Sequence, residues 1–419
     1  MNAEELRDLE AQLSEQFDAI KQRGLNLDLT RGKPSTEQLN LSNELLGDIS
    51  DKALADANLR NYGGLQGIPE ARELFSKVIG VKPEETLVGG NSSLTLMYFA
   101  AHFAMHLGVE GPDSAWMYEG QIKMLAPVPG YDRHFSVSET LGIELIPVPL
   151  LDDGPDMDEV ERLVKTDPLI KGIWCVPRFS NPTGHVYSDT VVERFAQLGK
   201  VAGKNFRIFW DNAYALHFID DNAAQLANIM DVCRKAGTED SVYIFGSTSK
   251  VTFAGAGVAF LGMSERNLGN FSKLLGMTQI GPDKINQLRH VEFFKTYEQL
   301  TAHMKRHAEL LKPRFDAVLK GLEEGLAGTG AGQWITPQGG YFISFDTLPG
   351  LATEVVAMAA DAGVKLTPAG ATYPYGKDPD NKNIRIAPSV PSIADIEAAT
   401  EVFVTCVKLA TVRHWLKNA

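Results

Sequence analysis

The sequence has few cysteines and no long apolar segment, and both deficits argue against whole classes of protein. Cys175, Cys233 and Cys406 are widely spaced and odd in number. This usage predicts reduced thiols in a cytoplasmic protein, and neither a disulfide framework nor a cysteine-based zinc site. No apolar run approaches the length that spans a bilayer, and the acidic N-terminus lacks the apolar stretch of a signal peptide. We therefore expect no membrane association.

Basic residues are also fewer than acidic residues. The chain has 40 lysines and arginines against 53 aspartates and glutamates, a net charge of −13. This balance argues against nucleic acid or an anionic membrane as the main partner. Repeats and low-complexity tracts are absent, and 419 residues are too many for one compact core. A chain of this length predicts about two or three domains.

From about residue 70 the sequence alternates between helical and strand-like patterns. The helical patterns cover Glu70–Ile79, Ser93–Leu107 and Thr190–Gly203. The short apolar runs between and after them are Ile143–Val148, Gly172–Val176, Arg207–Trp210 and Val242–Phe245. Such alternation predicts an α/β fold in which helices cover both faces of a mainly parallel sheet. Ligands bind such sheets at the carboxyl ends of the strands.

The pattern changes after about residue 290, where an α+β unit is predicted. A long helical pattern runs from Val291 to Glu324. Further strands are predicted at Trp334–Pro337, Tyr341–Phe345 and Ile384–Ala387, and helices at Thr353–Ala362 and Ser392–Leu416.

Lys250 is the most informative single residue, because it lies in Ser247-Thr248-Ser249-Lys250, just after the apolar run Val242–Phe245. Burial disfavours a charged ammonium group. That cost makes sense if the amine must attack a carbonyl and form a Schiff base. The alternative is a lysine at a strand end that extends into solvent.

Two further motifs follow predicted strands. Asn181 begins Asn181-Pro182-Thr183-Gly184, and its amide could donate to an anionic oxygen, although Asn-Pro is also an ordinary loop signal. Asp211 ends the next strand, with Tyr214 three residues later. A carboxylate there would be costly without a cation such as a protonated ring nitrogen. The alternative for Asp211 is a helix N-cap.

Two more motifs have the chemistry of anion sites. Asn91, Ser92 and Ser93 open a helix, where backbone amides and hydroxyls bind anions or simply cap the helix. Arg385 lies in a short apolar strand, where a bidentate carboxylate would satisfy it. That carboxylate could belong to a ligand or to the protein itself.

Together and in this order, these motifs resemble the fold-type I pyridoxal-phosphate enzymes, specifically the aspartate aminotransferase-like class. The resemblance covers nearly the whole chain. It implies a large cofactor-binding domain over residues 60–300, with a mainly parallel sheet sandwiched by helices. A smaller α+β domain would be built from both termini, from the N-terminal arm of residues 1–59 and from residues 301–419.

The resemblance also assigns roles around the cofactor ring. Lys250 would form the Schiff base with pyridoxal phosphate and act as general base, and Asp211 would keep the pyridine nitrogen protonated. Asn181 and Tyr214 would bond the phenolic oxygen of the ring, and Tyr131 would stack on its face. The residue that would support Asp211 from behind is His134.

Further roles concern the phosphate, the substrate and the partner subunit. The phosphate would be held by Asn91, Ser92, Ser93, Ser247 and Ser249. Tyr62 matches a tyrosine that reaches the phosphate of the neighbouring subunit, which implies a homodimer with active sites at the interface. The substrate α-carboxylate would bind Arg385, and the other residues expected near the substrate are Asn181, Arg31, Gly32 and Lys33.

One position departs from the family pattern. The family usually carries a phosphate-binding arginine eight residues after the lysine, where this chain has Val258. No arginine lies between Lys250 and Arg266. Hydroxyls, backbone amides or a cation from elsewhere must then hold the phosphate, and the chain is expected to represent a divergent subgroup.

The resemblance implies an aminotransferase, and the basic loop Arg31–Lys33 favours aspartate or glutamate as amino donor. A broad-specificity enzyme, or one for neutral or aromatic amino acids, is the alternative. A β-eliminating lyase on the same scaffold would release ammonia. A pyridoxal-phosphate-sensing regulator would need a DNA-binding module, for which the 28 residues before Leu29 are too few. The helical pairs His102/His106 and His303/His307 are interpreted as structural, with no metal site expected.

Overall fold

The structure, a computed structural model, describes residues 2–48 and 51–418. Its strands are β1 (Leu27–Asp28), β2 (Thr86–Val88), β3 (Lys123–Val128), β4 (Glu144–Leu151), β5 (Gly154–Pro155), β6 (Ile170–Cys175), β7 (Arg207–Asp211), β8 (Val242–Ser247), β9 (Ala259–Gly262), β10 (Gly332–Trp334), β11 (Ile343–Thr347), β12 (Val364–Lys365) and β13 (Asn383–Ile386).

The α-helices alternate with these strands in the first part of the chain and dominate the last. They are α1 (Ala3–Gln22), α2 (Thr36–Asn40), α3 (Asp51–Ala55), α4 (Pro69–Ile79), α5 (Ser93–His106), α6 (Asp132–Thr140), α7 (Met157–Thr166), α8 (Asp189–Val201), α9 (Ile229–Ala236), α10 (Glu265–Leu275), α11 (Lys284–Phe294), α12 (Tyr297–Leu326), α13 (Ala352–Asp361) and α14 (Ile393–Asn418).

The predicted α/β fold is confirmed by a large, mostly parallel sheet. In the described part of the chain, eight strands follow the order β2-β9-β8-β7-β6-β3-β4-β5. The pairs from β8 through β7, β6 and β3 to β4 are parallel, and the outer pairs that involve β9, β2 and β5 are antiparallel. Every residue of β6 and β7 is buried, which explains why Ile173–Cys175 and Ile208–Trp210 appear in the sequence as continuous apolar runs.

Two hydrophobic cores lie on the two faces of this sheet. Alternate residues of one strand enter different cores, since Ile208 and Trp210 belong to one and Phe209 to the other. The first core is completed by α4, α7, α8 and α9, and the second by α5, α6 and α10. The sheet is therefore covered on both faces, as predicted.

The two ends of the chain meet in a smaller α+β unit. Its core is formed by α12, α13, α14 and an antiparallel sheet of order β10-β11-β13. The N-terminal residues join it, because β1 pairs with β12 and α1 packs on α14 through Leu6, Leu13, Leu409 and Val412. The domain boundaries after residues 59 and 300 stay a prediction, and α12 runs across the second of them.

The prediction of one continuous helix from Val291 to Glu324 is wrong, because the structure has two helices there, α11 and α12. The chain breaks the helix between α11 and α12, because Lys295 has a φ of 56° and Thr296 is extended. The hydroxyl of Thr296 accepts a hydrogen bond from the Gln299 amide at 3.3 Å, which caps a new helix at Tyr297. No helix within the described residues is both long and apolar enough to cross a membrane.

Candidate active site

Three of the predicted site residues follow neighbouring parallel strands at the same edge of the large sheet. Asp211 is the last residue of β7, Lys250 lies three residues beyond the end of β8, and Asn181 follows β6. Because β6, β7 and β8 are paired in parallel, their carboxyl ends meet. The sheet thus brings together residues that are far apart in the sequence.

Asp211 is buried with one oxygen bonded and the other free. Its Oδ2 lies 2.9 Å from Nε2 of His134, and its Oδ1 has no hydrogen-bond partner among the described residues. The His134 ring stacks on Trp174 with centroids 4.5 Å apart, and the indole of Trp174 donates to Ser138 at 2.9 Å. A buried carboxylate oxygen without a donor is costly. The free Oδ1 of Asp211 fits a role as acceptor for a protonated ring nitrogen of a bound cofactor.

Lys250 directs its amine toward the aromatic ring of Tyr214, with Nζ 5.3 Å from the ring centroid. Burial lowers the pKa of Lys250, the Asp211 carboxylate opposes this shift, and the Arg385 cation adds to it. The pKa shift increases the neutral, nucleophilic fraction of the amine. Behind it, the Lys250 carbonyl oxygen lies 3.2 Å from Nε2 of His217, a contact that nothing in the sequence predicted.

Tyr131 and Tyr214 keep their protons at neutral pH. Burial raises the pKa of Tyr131 to about 12, and the charge of Asp211 contributes to the shift. Burial also raises the pKa of Tyr214 well above its ordinary value. The Tyr131 ring meets His134 edge-on with centroids 5.0 Å apart. Both tyrosines are therefore phenol donors close to the Asp211 carboxylate.

Arg385 in β13 is surrounded mainly by neutral groups. Its Nη1 donates to Oδ1 of Asn181 at 3.2 Å, and its Nε and Nη2 donate to the Thr367 hydroxyl at 3.4 and 3.3 Å. The ring of Phe342 covers the guanidinium at 4.7 Å. One carboxylate, Asp132, lies 3.6 Å from Nη1. The structure therefore joins Arg385 to Asn181 across 204 residues of sequence.

The N-terminal loop approaches Arg385 through its backbone. The Thr30 carbonyl accepts from the Thr367 hydroxyl at 3.2 Å and from Arg385 at 3.5 Å. Gly32 packs directly against the ring of Phe342. The side chains of Arg31 and Lys33 are exposed. The loop thus lies beside Arg385, while its two cations extend from the surface, and its role in substrate binding stays a prediction.

The predicted phosphate residues form one cluster of neutral donors. Ser247 donates to Ser249 at 3.1 Å, and Ser249 donates to the Asn91 carbonyl at 3.4 Å. Helix α5 begins at Ser93, and the side chain of its N-cap residue, Ser92, makes no capping hydrogen bond. Hydroxyls and a helix N-terminus therefore lie together, an arrangement that suits an anion.

Tyr62 lies on the surface, 80% exposed. Its carbonyl accepts from Lys284 at 3.3 Å, and Gly281 packs against the neighbouring Gly63. Two more exposed apolar residues occur just before Gly281, Met277 at 71% and Ile280 at 63%. Within the residues described here, no hydrogen bond joins Tyr62 to the cluster of predicted phosphate ligands.

Five residues of the site were not predicted from the sequence, because most of them belong to no recognisable motif. They are Asp132, Trp174, His217, Phe342 and Thr367. Asp132 alone was adjacent to a predicted residue, Tyr131. The histidine pairs interpreted as structural are partly or fully buried on helices, and no group of three potential metal ligands occurs in the described regions.

The sheet, the buried lysine and the Asp211 oxygen that lacks a partner in the described residues are the features expected of a pyridoxal-phosphate-dependent enzyme of fold type I. The aspartate aminotransferase family model matches residues 1–418, so the chain belongs to that family. Its sequence is 44% identical to an aspartate aminotransferase from Corynebacterium glutamicum, over 96% of this chain and 94% of the relative.

Two further comparisons agree with this family membership. A putative aminotransferase from Mycolicibacterium smegmatis is 47% identical, over 93% of this chain and 92% of its own. The crystal structure of an aspartate transaminase from C. glutamicum superposes with a TM-score of 0.94 at 43% identity, and covers 99% of this chain and 98% of its own.

Proposed function

We propose that this aminotransferase moves the amino group of aspartate or glutamate to a 2-oxo acid, with pyridoxal phosphate held at Lys250. The observation that carries the proposal is that Asp211 and Lys250, which follow the neighbouring parallel strands β7 and β8, lie close to Arg385 of β13 in the smaller sheet. A nucleophilic amine, a partner for a ring cation and a carboxylate receptor are the groups that this reaction requires. The 44% identity to an enzyme named aspartate aminotransferase supports aspartate as a substrate.

The residues present fit the cofactor. Asp211 Oδ1, which lacks a partner in the described regions, would hold the ring nitrogen, and Tyr214 and Asn181 would bind the phenolic oxygen. Tyr131 would cover the ring. The phosphate would bind the cluster of Ser247, Ser249 and the N-terminus of α5. When bound, the cofactor supplies an electron sink for the bonds at the substrate α-carbon.

The protein's own groups then perform the proton transfers. Arg385 binds the α-carboxylate and so orients the α-carbon toward Lys250. The amine of Lys250, whose pKa burial lowers, takes the α-proton and returns it. His134 Nε2 lies 2.9 Å from Oδ2 of Asp211 and so positions the carboxylate that would face the ring nitrogen. Burial raises the pKa of Tyr214, so its phenol would keep the proton that it donates to the phenolic oxygen of the ring.

We also propose that the protein acts as a homodimer with the active sites at the interface. Tyr62, Met277 and Ile280 are exposed by 80%, 71% and 63%, which is costly for side chains of this size in a monomer. Burial of this patch against a second copy would bring Tyr62 near the partner's site. Size measurements of the wild type and of Met277→Lys test this, and a dimer in both contradicts this interface.

The substrate is tested with a panel of amino donors and oxo acids, followed through the absorbance of the cofactor. We expect aspartate and glutamate to change the spectrum and to yield their oxo acids. A response to neutral or aromatic donors alone would favour the alternative specificity. Release of ammonia and pyruvate would indicate a lyase.

Lys250→Ala should abolish turnover, because both the attachment point and the base are lost. Lys305→Ala, an exposed lysine on α12, is the matched control and should keep wild-type activity. Circular dichroism should show that both variants are folded. Full activity of Lys250→Ala would refute the assignment of this residue.

A further inference from the structure

We propose that Asp132 is a specificity-determining residue, an internal counter-ion that competes with substrate carboxylates for Arg385. The inference deepens the proposed function and rests on it for the role of Arg385. It follows from a single ion pair in the binding site, whose two members come from different parts of the chain, α6 and β13.

Within the described residues, Arg385 has one carboxylate within 4.0 Å, that of Asp132. Its other contacts, with Asn181, Thr367 and the Thr30 carbonyl, are all to neutral oxygens. Asp132 Oδ1 lies 3.6 Å from Nη1, close enough for ionic attraction and too far for a hydrogen bond. The pair is therefore held by charge alone, and a better ligand can replace Asp132 without breaking a hydrogen bond.

The two members of the pair differ in their freedom to move. The Arg385 side chain is 10% exposed and is held by its neutral acceptors, whereas the Asp132 side chain is 37% exposed. Asp132 is the first residue of α6, where the helix N-terminus favours a negative charge. Asp132 can thus turn toward solvent when another carboxylate arrives, and α6 keeps it within reach of the arginine.

A substrate carboxylate on Arg385 brings a second negative charge close to Asp132. The like charges repel, and solvent screens them only in part because Arg385 is nearly buried. The repulsion weakens the binding of every carboxylate that uses Arg385 and speeds product release. The repulsion is greatest for dicarboxylates, because they bring two negative charges into the site. Asp132 thereby sets how tightly the enzyme holds the substrates that we propose for it.

The alternative explanation is that Asp132 only stabilises α6. An acidic residue in the first turn of a helix has this effect in any protein. The two explanations predict different results for Asp132→Asn, which removes the charge and keeps the shape. A competing counter-ion predicts tighter ligand binding, and a helix stabiliser predicts a lower melting temperature with unchanged binding.

The test measures dissociation constants of succinate and propionate on the holoenzyme through the absorbance of the cofactor. We expect Asp132→Asn to bind both acids about three- to tenfold more tightly, with the larger gain for the dicarboxylate succinate, as repulsion between partly screened charges implies. Asp132→Glu should stay within about twofold of the wild type because it keeps the charge. Asp113→Asn, an exposed aspartate, is the control for net charge.

Three results would overturn the inference. They are unchanged or weaker binding in Asp132→Asn, equal tightening in Asp113→Asn, and tightening for succinate without propionate. The last result would locate the effect at the distal carboxylate and not at Arg385. Turnover of aspartate by the wild type is measured in parallel, so that a failure of the proposed substrate is told apart from a failure of the role of Asp132.

Discussion

Replacement of Gly32 by alanine should raise the KM for amino-acid substrates and leave the protein folded. A Cβ atom at Gly32 would lie 2.7 Å from Cε1 and 3.1 Å from Cε2 of Phe342, with Cζ closer still. Real Cβ contacts are longer, so the ring must move. That ring covers the guanidinium of Arg385 at 4.7 Å, and its displacement would misplace the proposed carboxylate receptor.

The magnitude follows from the cost of overpacking. One extra methyl group against a packed ring costs about 1–3 kcal/mol. If most of this cost falls on the geometry of Arg385, the KM should rise between about fivefold and a hundredfold, since about 1.4 kcal/mol is a factor of ten. The kcat should change less, because Lys250 and Asp211 lie on other elements. Steady-state kinetics with aspartate, together with a thermal unfolding midpoint, measure both effects.

A second substitution separates this mechanism from a general disturbance of the loop. Leucine at position 342 removes the ring edge that meets the new methyl group. Addition of Gly32→Ala to Phe342→Leu should therefore cost much less than addition of Gly32→Ala to the wild type. The reasoning is refuted if Gly32→Ala leaves the KM unchanged, or if the two substitutions are simply additive.

The remaining predictions concern buried aromatic and imidazole groups. Burial lowers the pKa of His217 and of His307 to about 3 each, so the folded state binds fewer protons than the unfolded state between pH values of about 6.5 and 3. Stability should be complete above about pH 6.5 and fall as the pH drops, and denaturant midpoints at pH 7 and 5 should differ less in His307→Gln. Trp174→Leu removes the stack that orients His134 behind Asp211, and it should lower kcat more than about fivefold at an unchanged KM. Equal loss in Phe209→Leu, a neighbouring core residue, would show a packing effect instead.

The large sheet was predictable because its strands are buried on both faces. Strands β6 and β7 contain only buried residues, so their apolar runs stand out without alternation. Asp211 was predictable for the same reason, since a charge follows the apolar run of β7 directly, and Lys250 lies a few residues after the apolar run of β8. The break between α11 and α12 was not predictable from periodicity, because a Thr296 cap does not change the apolar spacing on either side.

The surroundings of Arg385 could not be predicted, for a different physical reason. Its partners lie far away in the sequence, with Asn181 204 residues and Thr30 355 residues distant. Thr367 and Phe342 are ordinary residues on their own, and only the packing of the smaller unit against the large sheet gives them a role. A single sequence reveals secondary-structure propensity and hydrophobic periodicity. Neither specifies which side chains come into contact between two structural units.

Val258 stands where the family usually carries an arginine, and its surroundings suit a neutral side chain. The residue is 1% exposed, and its amide donates to the Thr248 hydroxyl at 2.8 Å. Thr252 also donates to Thr248 at 3.0 Å and lies 2.9 Å from Nε2 of His290. A cation at position 258 would be desolvated beside groups that already satisfy one another, at a cost that only a bound anion could offset. With valine there, the segment that follows Lys250 is held by neutral hydrogen bonds whether or not an anion is present. We expect any phosphate to be bound by hydroxyls, by backbone amides such as those at the N-terminus of α5, or by a cation from elsewhere.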